Sequence, residues 1–185
     1  MIRNMESIGT IRIETERLIL RRFTLEEAPA MYERWASDPE VTKYLTWQPH
    51  ESVKASRDYL ADLTSKYDRG DFFDWAIELK GVGVIGSIGV VNICKETEKA
   101  ELGYCISRAH WGKGIVPEAL KAVIDFLFDE AHFRRVFAKH DVDNPRSGRA
   151  MEKAGMKYEG TLRQAGRNNR GIIDVVIRAR LAEDR

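Results

Sequence analysis

At 185 residues, 43% hydrophobic and 32% charged, the chain is long enough to bury a core, and no run approaches the ~20 apolar residues that cross a bilayer. A net charge of +1 argues against a general nucleic-acid binder, and two cysteines, Cys94 and Cys105, make neither a disulfide framework nor a zinc pattern. That charge is uneven: residues 134–185 carry 13 Lys/Arg against 7 Asp/Glu, which leaves residues 1–133 net acidic. A basic final third suits an anionic cofactor and an acidic front a cationic substrate, although solvated faces explain both equally well.

The opening MIRNMESIGT lacks the apolar run of a signal peptide, so a cytoplasmic location is expected, with residues 1–10 a loosely ordered extension. Arg17–Phe23 reads as a strand. Thr24 and Glu27 stand at capping-box spacing and start a helix that ends before Pro39. Ser52–Arg69 has helical spacing of apolar residues, with Gly70 as its stop. FFDWAIEL, VGVIGSIGVVNI and AELGYCIS follow as a meander, turning at Gly81 and Gly83 and again over residues 95–99.

From Leu120 the period changes: Leu120, Val123, Ile124, Leu127 and Phe128 share one helix face. RRVFAKH is a strand, and NPRSGRAMEKAG a short helix with Asn144 as N-cap, Pro145 in its first turn and Gly155 as its end. MKYEGTLR and IIDVVIRARL close the chain as strands around an exposed loop, QAGRNNRG. No linker or repeat interrupts the order, so residues 1–185 read as one domain. The strand-helix-strand crossover in the middle forces one parallel pair into an otherwise antiparallel sheet. The predicted fold is therefore a mixed α/β sheet with helices on both faces. Its crevice lies where the strand ending near Ile106 gives way to a helix.

That junction, Trp111-Gly112-Lys113-Gly114-Ile115-Val116, combines bare glycines, a mobile cation and the unpaired N–H groups of a helix start. Pro117 fits a first turn, where its missing N–H is no loss. The combination describes an anion site, although a tight turn uses the same residues. It is neither a Walker loop nor a dinucleotide fingerprint. A diphosphate-bearing cofactor outside both classes is the sharper reading.

WGKGIVPEALKAV, DVDNPRSGRAMEKAGMKYEGTLR and TERLILRRF together resemble the GNAT acyl-CoA-dependent N-acetyltransferases, in particular the ribosomal-protein alanine N-acetyltransferase branch. The resemblance runs from about Thr15 to Leu181. It implies the GNAT fold and transfer of acetyl from acetyl-CoA to a primary amine, foremost a protein N-terminal α-amine, without a metal. The family's Q/R-x-x-G-x-G/A motif falls on Trp111, Gly114 and Val116, so this chain departs at the first and last positions. Trp111–Val116 would then hold the pyrophosphate, Cys105 and Ile106 would offer backbone groups to pantetheine, and Asn144 would bind the same arm. Ser147 would meet the CoA sulfur, with Tyr158 in reserve.

The chemistry sets its own demands: a neutral amine, a donor for the oxyanion, and a proton or hydrogen bond for the thiolate. Glu101, inside an apolar strand, is the expected base; the plain alternative is a surface ion pair with Lys99. Tyr44 and Trp47, between the first two helices, border the acceptor site by resemblance and serve equally well as packing. His50, His110, His132 and His140 lack metal-ligand spacing, so no metal is assigned. The other readings are a small-molecule amine acetyltransferase, a non-catalytic acyl-CoA-binding module, and an RNA surface on RQAGRNNRG, disfavoured because no aromatic interleaves those arginines. Neither a nucleic-acid nor a membrane partner is expected, and the assembly is a monomer or a homodimer.

Overall fold

A computed structural model describes residues 8–184. The alternating apolar runs form one eight-stranded sheet: β1 (Ile13–Glu14), β2 (Leu18–Arg21), β3 (Asp74–Leu79), β4 (Gly83–Cys94), β5 (Lys99–Ile106), β6 (Arg135–Asp141), β7 (Lys157–Asn168) and β8 (Gly171–Leu181). Their spatial order is β1-β2-β3-β4-β5-β6-β8-β7, and every adjacent pair is antiparallel except β5–β6. The helices are α1 (Ala28–Met31), α2 (Pro39–Thr42), α3 (Val53–Thr64), α4 (Ile115–Asp129) and α5 (Pro145–Lys153). Among the described residues no helix is long and apolar enough to cross a membrane.

Strand alternation decides which helix covers which face. Trp75 and Ile77 of β3 point into a core with Leu120, Val123, Ile124 and Leu127 of α4 and Met151 of α5. Ala76, between them, points the other way, into a second core with Met31, Trp35, Leu60 and Leu63. Helices α4 and α5 therefore lie on one face, and α1 and α3 on the other. Each large apolar side chain sealed in these layers contributes about 1.5–3 kcal/mol.

The feature that positions the site is the β5–α4–β6 crossover. The parallel ladder runs only from Lys99↔Arg135 to Leu102↔Ala138. Beyond it β5 stays on β4 as far as Ile106↔Gly86, while β6 follows β8 to Asp141↔Val175. The two strands part after Leu102 and leave a wedge-shaped split in the sheet, at the place predicted for the crevice.

Several predicted elements are revised. The first helix is not uniform: a 3-10 turn at Leu25–Glu27 leads into α1, which widens into a π turn at Tyr32–Ala36. Ser37 fixes that widening, because its N–H and its hydroxyl both donate to the Tyr32 carbonyl, at 3.2 and 2.6 Å. Helix α3 stops at Thr64 rather than near Arg69. Thr64 and Ser65 hydroxyls take the Ala61 and Asp62 carbonyls (3.3 and 2.7 Å), and buried Tyr67 turns inward so that its hydroxyl accepts from Phe23 N–H at 2.9 Å.

The predicted loop QAGRNNRG is mostly strand. Pairing of β7 with β8 is interrupted between Leu162 and Gly166, where Gln164 has φ 50° and donates its N–H to Asp174 Oδ1 (2.8 Å), then resumes to Asn168↔Gly171. Of the predicted N-terminal extension, residues 1–7 lie outside the described residues. Gly9 N–H donates to the Gly70 carbonyl at 2.8 Å, and buried Thr10 donates its hydroxyl to the Phe72 carbonyl at 3.1 Å.

Candidate active site

The turn from β5 into α4 has the backbone that its glycines allow. Gly112 and Gly114 adopt φ 76° and 74°, left-handed values that L side chains rarely take. No side chain caps α4, so the first N–H groups of the helix have no side-chain acceptor at the cap. A Cβ on Gly112 would meet nothing within 4 Å, because that side of the loop is open. Lys113 is exposed, Ile115 is buried, and Val116 is half-buried against the α4-side core.

A clamp absent from the sequence reading holds this loop. The Arg17 guanidinium donates to the carbonyls of Lys113 (2.9 Å) and Gly114 (3.1 Å), and its Nε donates to Glu118 Oε2 (2.6 Å). Glu118 also accepts from the Thr15 hydroxyl (2.6 Å) and the Arg17 N–H (3.0 Å). Burial works to raise the Glu118 carboxyl, but these donors outweigh it and hold it below the usual carboxylate range. Trp111 braces the other side: its Nε1 donates to the Ile106 carbonyl (3.0 Å), and the Arg146 guanidinium lies 5.4 Å over its ring. One acceptor position of Ile106, a group expected to face pantetheine, is thus already taken.

Below the cradle, α5 starts at the open end of the split. Asn144 caps it, its Oδ1 accepting from Ser147 N–H at 3.3 Å. The Ser147 hydroxyl lies 2.7 Å from the hydroxyl of Tyr104, on β5. Burial pushes the Tyr104 phenol up, which keeps it protonated. The tyrosine beside Ser147 is therefore Tyr104, whereas Tyr158 sits on the edge strand, 58% exposed, with its hydroxyl 3.0 Å from that of Thr161.

Glu101 occupies the opposite face of β5 from Tyr104, since the two differ by an odd number of positions. Its side chain is 14% exposed and accepts from Lys139 Nζ at 3.1 Å. The ion-pair partner is not Lys99: Glu101 pairs with Phe137 across the parallel ladder, which brings Lys139, two residues further on the same side of β6, alongside. On this face Cys105 is also half-buried; burial pushes its thiol up to about 11, and its Sγ lies 3.4 Å from Ser87 Oγ.

The segment 43–52 closes over the same face. Tyr44 donates its hydroxyl to the Asp143 carbonyl (3.0 Å), tying the segment to the loop before α5. Trp47 is half-buried against the α1–α3 core. Asn169, in the β7–β8 turn, organises the rest: its side-chain amide donates to the carbonyls of Thr42 (2.9 Å) and Trp47 (2.8 Å), and its N–H to that of Leu45 (3.1 Å). Next to it Arg170 Nη1 bridges Asp141 (3.2 Å) and Asp143 (2.7 Å). Among the described residues no group of His, Cys, Asp and Glu side chains could hold a metal ion.

Residues 17–157 match the model of the acetyltransferase (GNAT) domain. The chain belongs to the GNAT acetyltransferase family. It is 36% identical over 162 residues to the uncharacterized N-acetyltransferase p20 of Bacillus licheniformis, covering 87% of this chain and 90% of that one. It is 35% identical over 100 residues to the ribosomal-protein-serine acetyltransferase of Escherichia coli, 54% of this chain and 56% of the relative. A solved ribosomal L7/L12 α-N-protein acetyltransferase in complex with coenzyme A shares the fold, with a TM-score of 0.84 at 22% identity, covering 95% of this chain and 100% of that one. This GNAT protein is thus an acetyl-CoA-dependent N-acetyltransferase, and its uncapped glycine cradle fits that co-substrate.

Proposed function

We propose that this GNAT enzyme acetylates a protein N-terminal α-amine of the ribosomal-protein type, with Glu101 as base and Ser147 serving the leaving thiolate. The observation that carries the reading is the split between β5 and β6, which has Glu101 on one face of β5 and the Tyr104–Ser147 hydroxyl pair on the other. Pyrophosphate rests on the N–H groups of Gly112–Val116 beside Lys113. The pantetheine arm descends through the split past Cys105, Ile106 and Asn144 and brings the thioester between the two faces.

The acceptor arrives under the 43–52 segment, against Tyr44 and Trp47. An α-amine, with an ordinary pKa of about 7.7–8.0, is partly neutral at pH 7 and needs only a modest base, whereas a lysine at about 10.4 needs far more help. Glu101 takes the ammonium proton as the tetrahedral intermediate forms, directly or through water. The protonated Tyr104 donates to Ser147 Oγ, which leaves the Ser147 hydroxyl free to donate a hydrogen bond to the departing thiolate; the thiolate takes its proton from solvent as CoA leaves. Similarity to ribosomal-protein acetyltransferases supports the choice of an α-amine.

The test is CoA release with peptides bearing a free or a blocked N-terminus, in wild type, Glu101→Gln and Ser147→Ala. Turnover that requires the free α-amine, and a kcat reduced about 10²-fold or more by Glu101→Gln with acetyl-CoA affinity retained, supports the assignment. Unchanged kcat in both variants overturns the residue roles, and turnover of lysine side chains alone overturns the substrate.

A further inference from the structure

On the α1–α3 face, Asp74 opens β3 with a buried carboxyl group that feels the charge of Lys66 but has no salt bridge to it. Its backbone N–H donates to Thr10 Oγ1 (2.8 Å), but its Oδ1 is sealed from solvent and has no hydrogen-bond partner. The carboxylate lies flat over β4: a Cβ added to Gly89 would stand 2.4 Å from Oδ2 and 2.9 Å from Cγ. Asp74, Gly89 and Gly103 are direct neighbours across three strands, and Glu101 is the next residue of β5 on that face.

Between the two acids stands Val91, the extra residue of the β4 bulge, 66% exposed, with Cγ1 2.8 Å from where a Gly103 Cβ would be. Trp47, His50 and Tyr59 stand as an aromatic file, with centroids 5.4 and 5.8 Å apart. The Tyr59 phenol is pushed up by burial and then by the charge of Asp74.

A buried carboxyl oxygen without a hydrogen-bond partner is one that an arriving cation stabilises. Resting on the reading that Glu101 receives the reacting amine, we propose that Asp74 is a specificity residue that binds a second positive charge of the acceptor. The acceptor class is an amine with a further cationic group across a short apolar spacer, which lies along Val91. Strands stand about 4.8 Å apart and rise about 3.3 Å per residue, so the Asp74 carboxylate over Gly89 lies about 8 Å from the Glu101 Cα. A peptide whose second residue is lysine spans that gap, and so does a free 1,5-diamine. Burial pushes the Asp74 carboxyl up to about 8, so the arriving cation also draws off its proton. The net-acidic first 133 residues attract the same kind of acceptor.

The experiment compares matched pairs: 1,5-diaminopentane with pentylamine, and an Ala-Lys peptide with its Ala-norleucine counterpart. Each is measured for CoA release and, by calorimetry, for binding to the CoA-saturated protein. Wild type is expected to favour the dications by about 10-fold or more in kcat/KM, through KM. Asp74→Asn is expected to erase that preference while leaving kcat for the monocations and acetyl-CoA affinity unchanged. Asp74→Val serves if the melting temperature of the Asn variant has fallen. Equal treatment of both members of each pair by wild type overturns the assignment while the acetyltransferase reading stands, and so does a preference that survives in Asp74→Asn. Asp74-dependent binding of dications without acetylation keeps the cation site and removes the role given to Glu101. A larger effect in the peptide pair assigns the second charge to a protein N-terminus, and a larger effect in the free amines assigns it to a small polyamine.

Discussion

Arg17→Ala isolates the clamp on the cradle. In the native loop one guanidinium holds two successive carbonyls, Lys113 and Gly114, and is itself held by Glu118. The side chains of Arg17 and Glu118 are 42% and 19% exposed, so water replaces much of what is lost and the ion pair contributes only about 0–1 kcal/mol. At about 2–4 °C per kcal/mol for a chain of this size, the melting temperature falls by a few degrees at most. Cofactor affinity falls further. Without the clamp, Lys113 and Gly114 must be ordered on binding, at about 1–2 kcal/mol of backbone entropy each. If half of that order is already lost in the free protein, the cost is about 1–2 kcal/mol, or about 5–30-fold in Kd. Calorimetric titration of acetyl-CoA, paired with thermal melts, reads both. Arg17→Lys should fail to restore affinity, because a point charge cannot fork onto two carbonyls. A Kd within twofold of wild type in Arg17→Ala would refute the idea that the clamp shapes the cradle.

Asn169→Ala removes the donors to Thr42 and Trp47 and should raise the acceptor KM about 5-fold or more, with acetyl-CoA Kd unchanged; equal changes in both would contradict a role confined to the acceptor segment. Burial holds His50, His110 and His140 below 6.5, so the unfolded chain binds more protons than the native one in that region. Their stabilisation is complete above about pH 6.5 and is lost as pH falls below it, and denaturant titrations at pH 5.5 and 7.5 should show it; His140→Gln should flatten the slope. With its thiol pushed up to about 11, Cys105 should resist alkylation at pH 8 in the native protein while Cys94 reacts, as peptide mapping after a short iodoacetamide pulse would reveal.

What the sequence disclosed follows the range of the interactions concerned. The crossover, the cap at Asn144 and the cradle all rest on near neighbours, and each leaves a local signature of periodicity, an Asn-Pro step or paired glycines. The clamp does not: Arg17 and its loop are 96 and 97 positions apart, and nothing in TERLILRRF marks that arginine as other than a strand residue. Tyr104 was hidden in the same way, since only the fold puts it against Ser147, 43 positions on. The second half of β7 failed for another reason. From Arg163 to Asn168 only Ala165 is apolar, so Gln, Gly, Arg and Asn carry no apolar alternation, and the strand exists because the β8 backbone is there to bond it. In α3, apolar spacing continues through Tyr67 and reads as further helix, although hydroxyls take the last carbonyls at Ala61 and Asp62.

The parting of β5 from β6 has a mechanical consequence. Strands β1–β5 and β6–β8 are two plates riveted by a ladder of four residue pairs and by the helix that spans them. On the proposed binding mode, a co-substrate lodged between the plates would act as a keystone, and by mass action it would stiffen the joint in proportion to its occupancy. A short seam of the sheet would then run through the proposed reaction centre. A fold stiffened in this way would slacken when CoA departs, and product release would then be coupled to the opening of the seam.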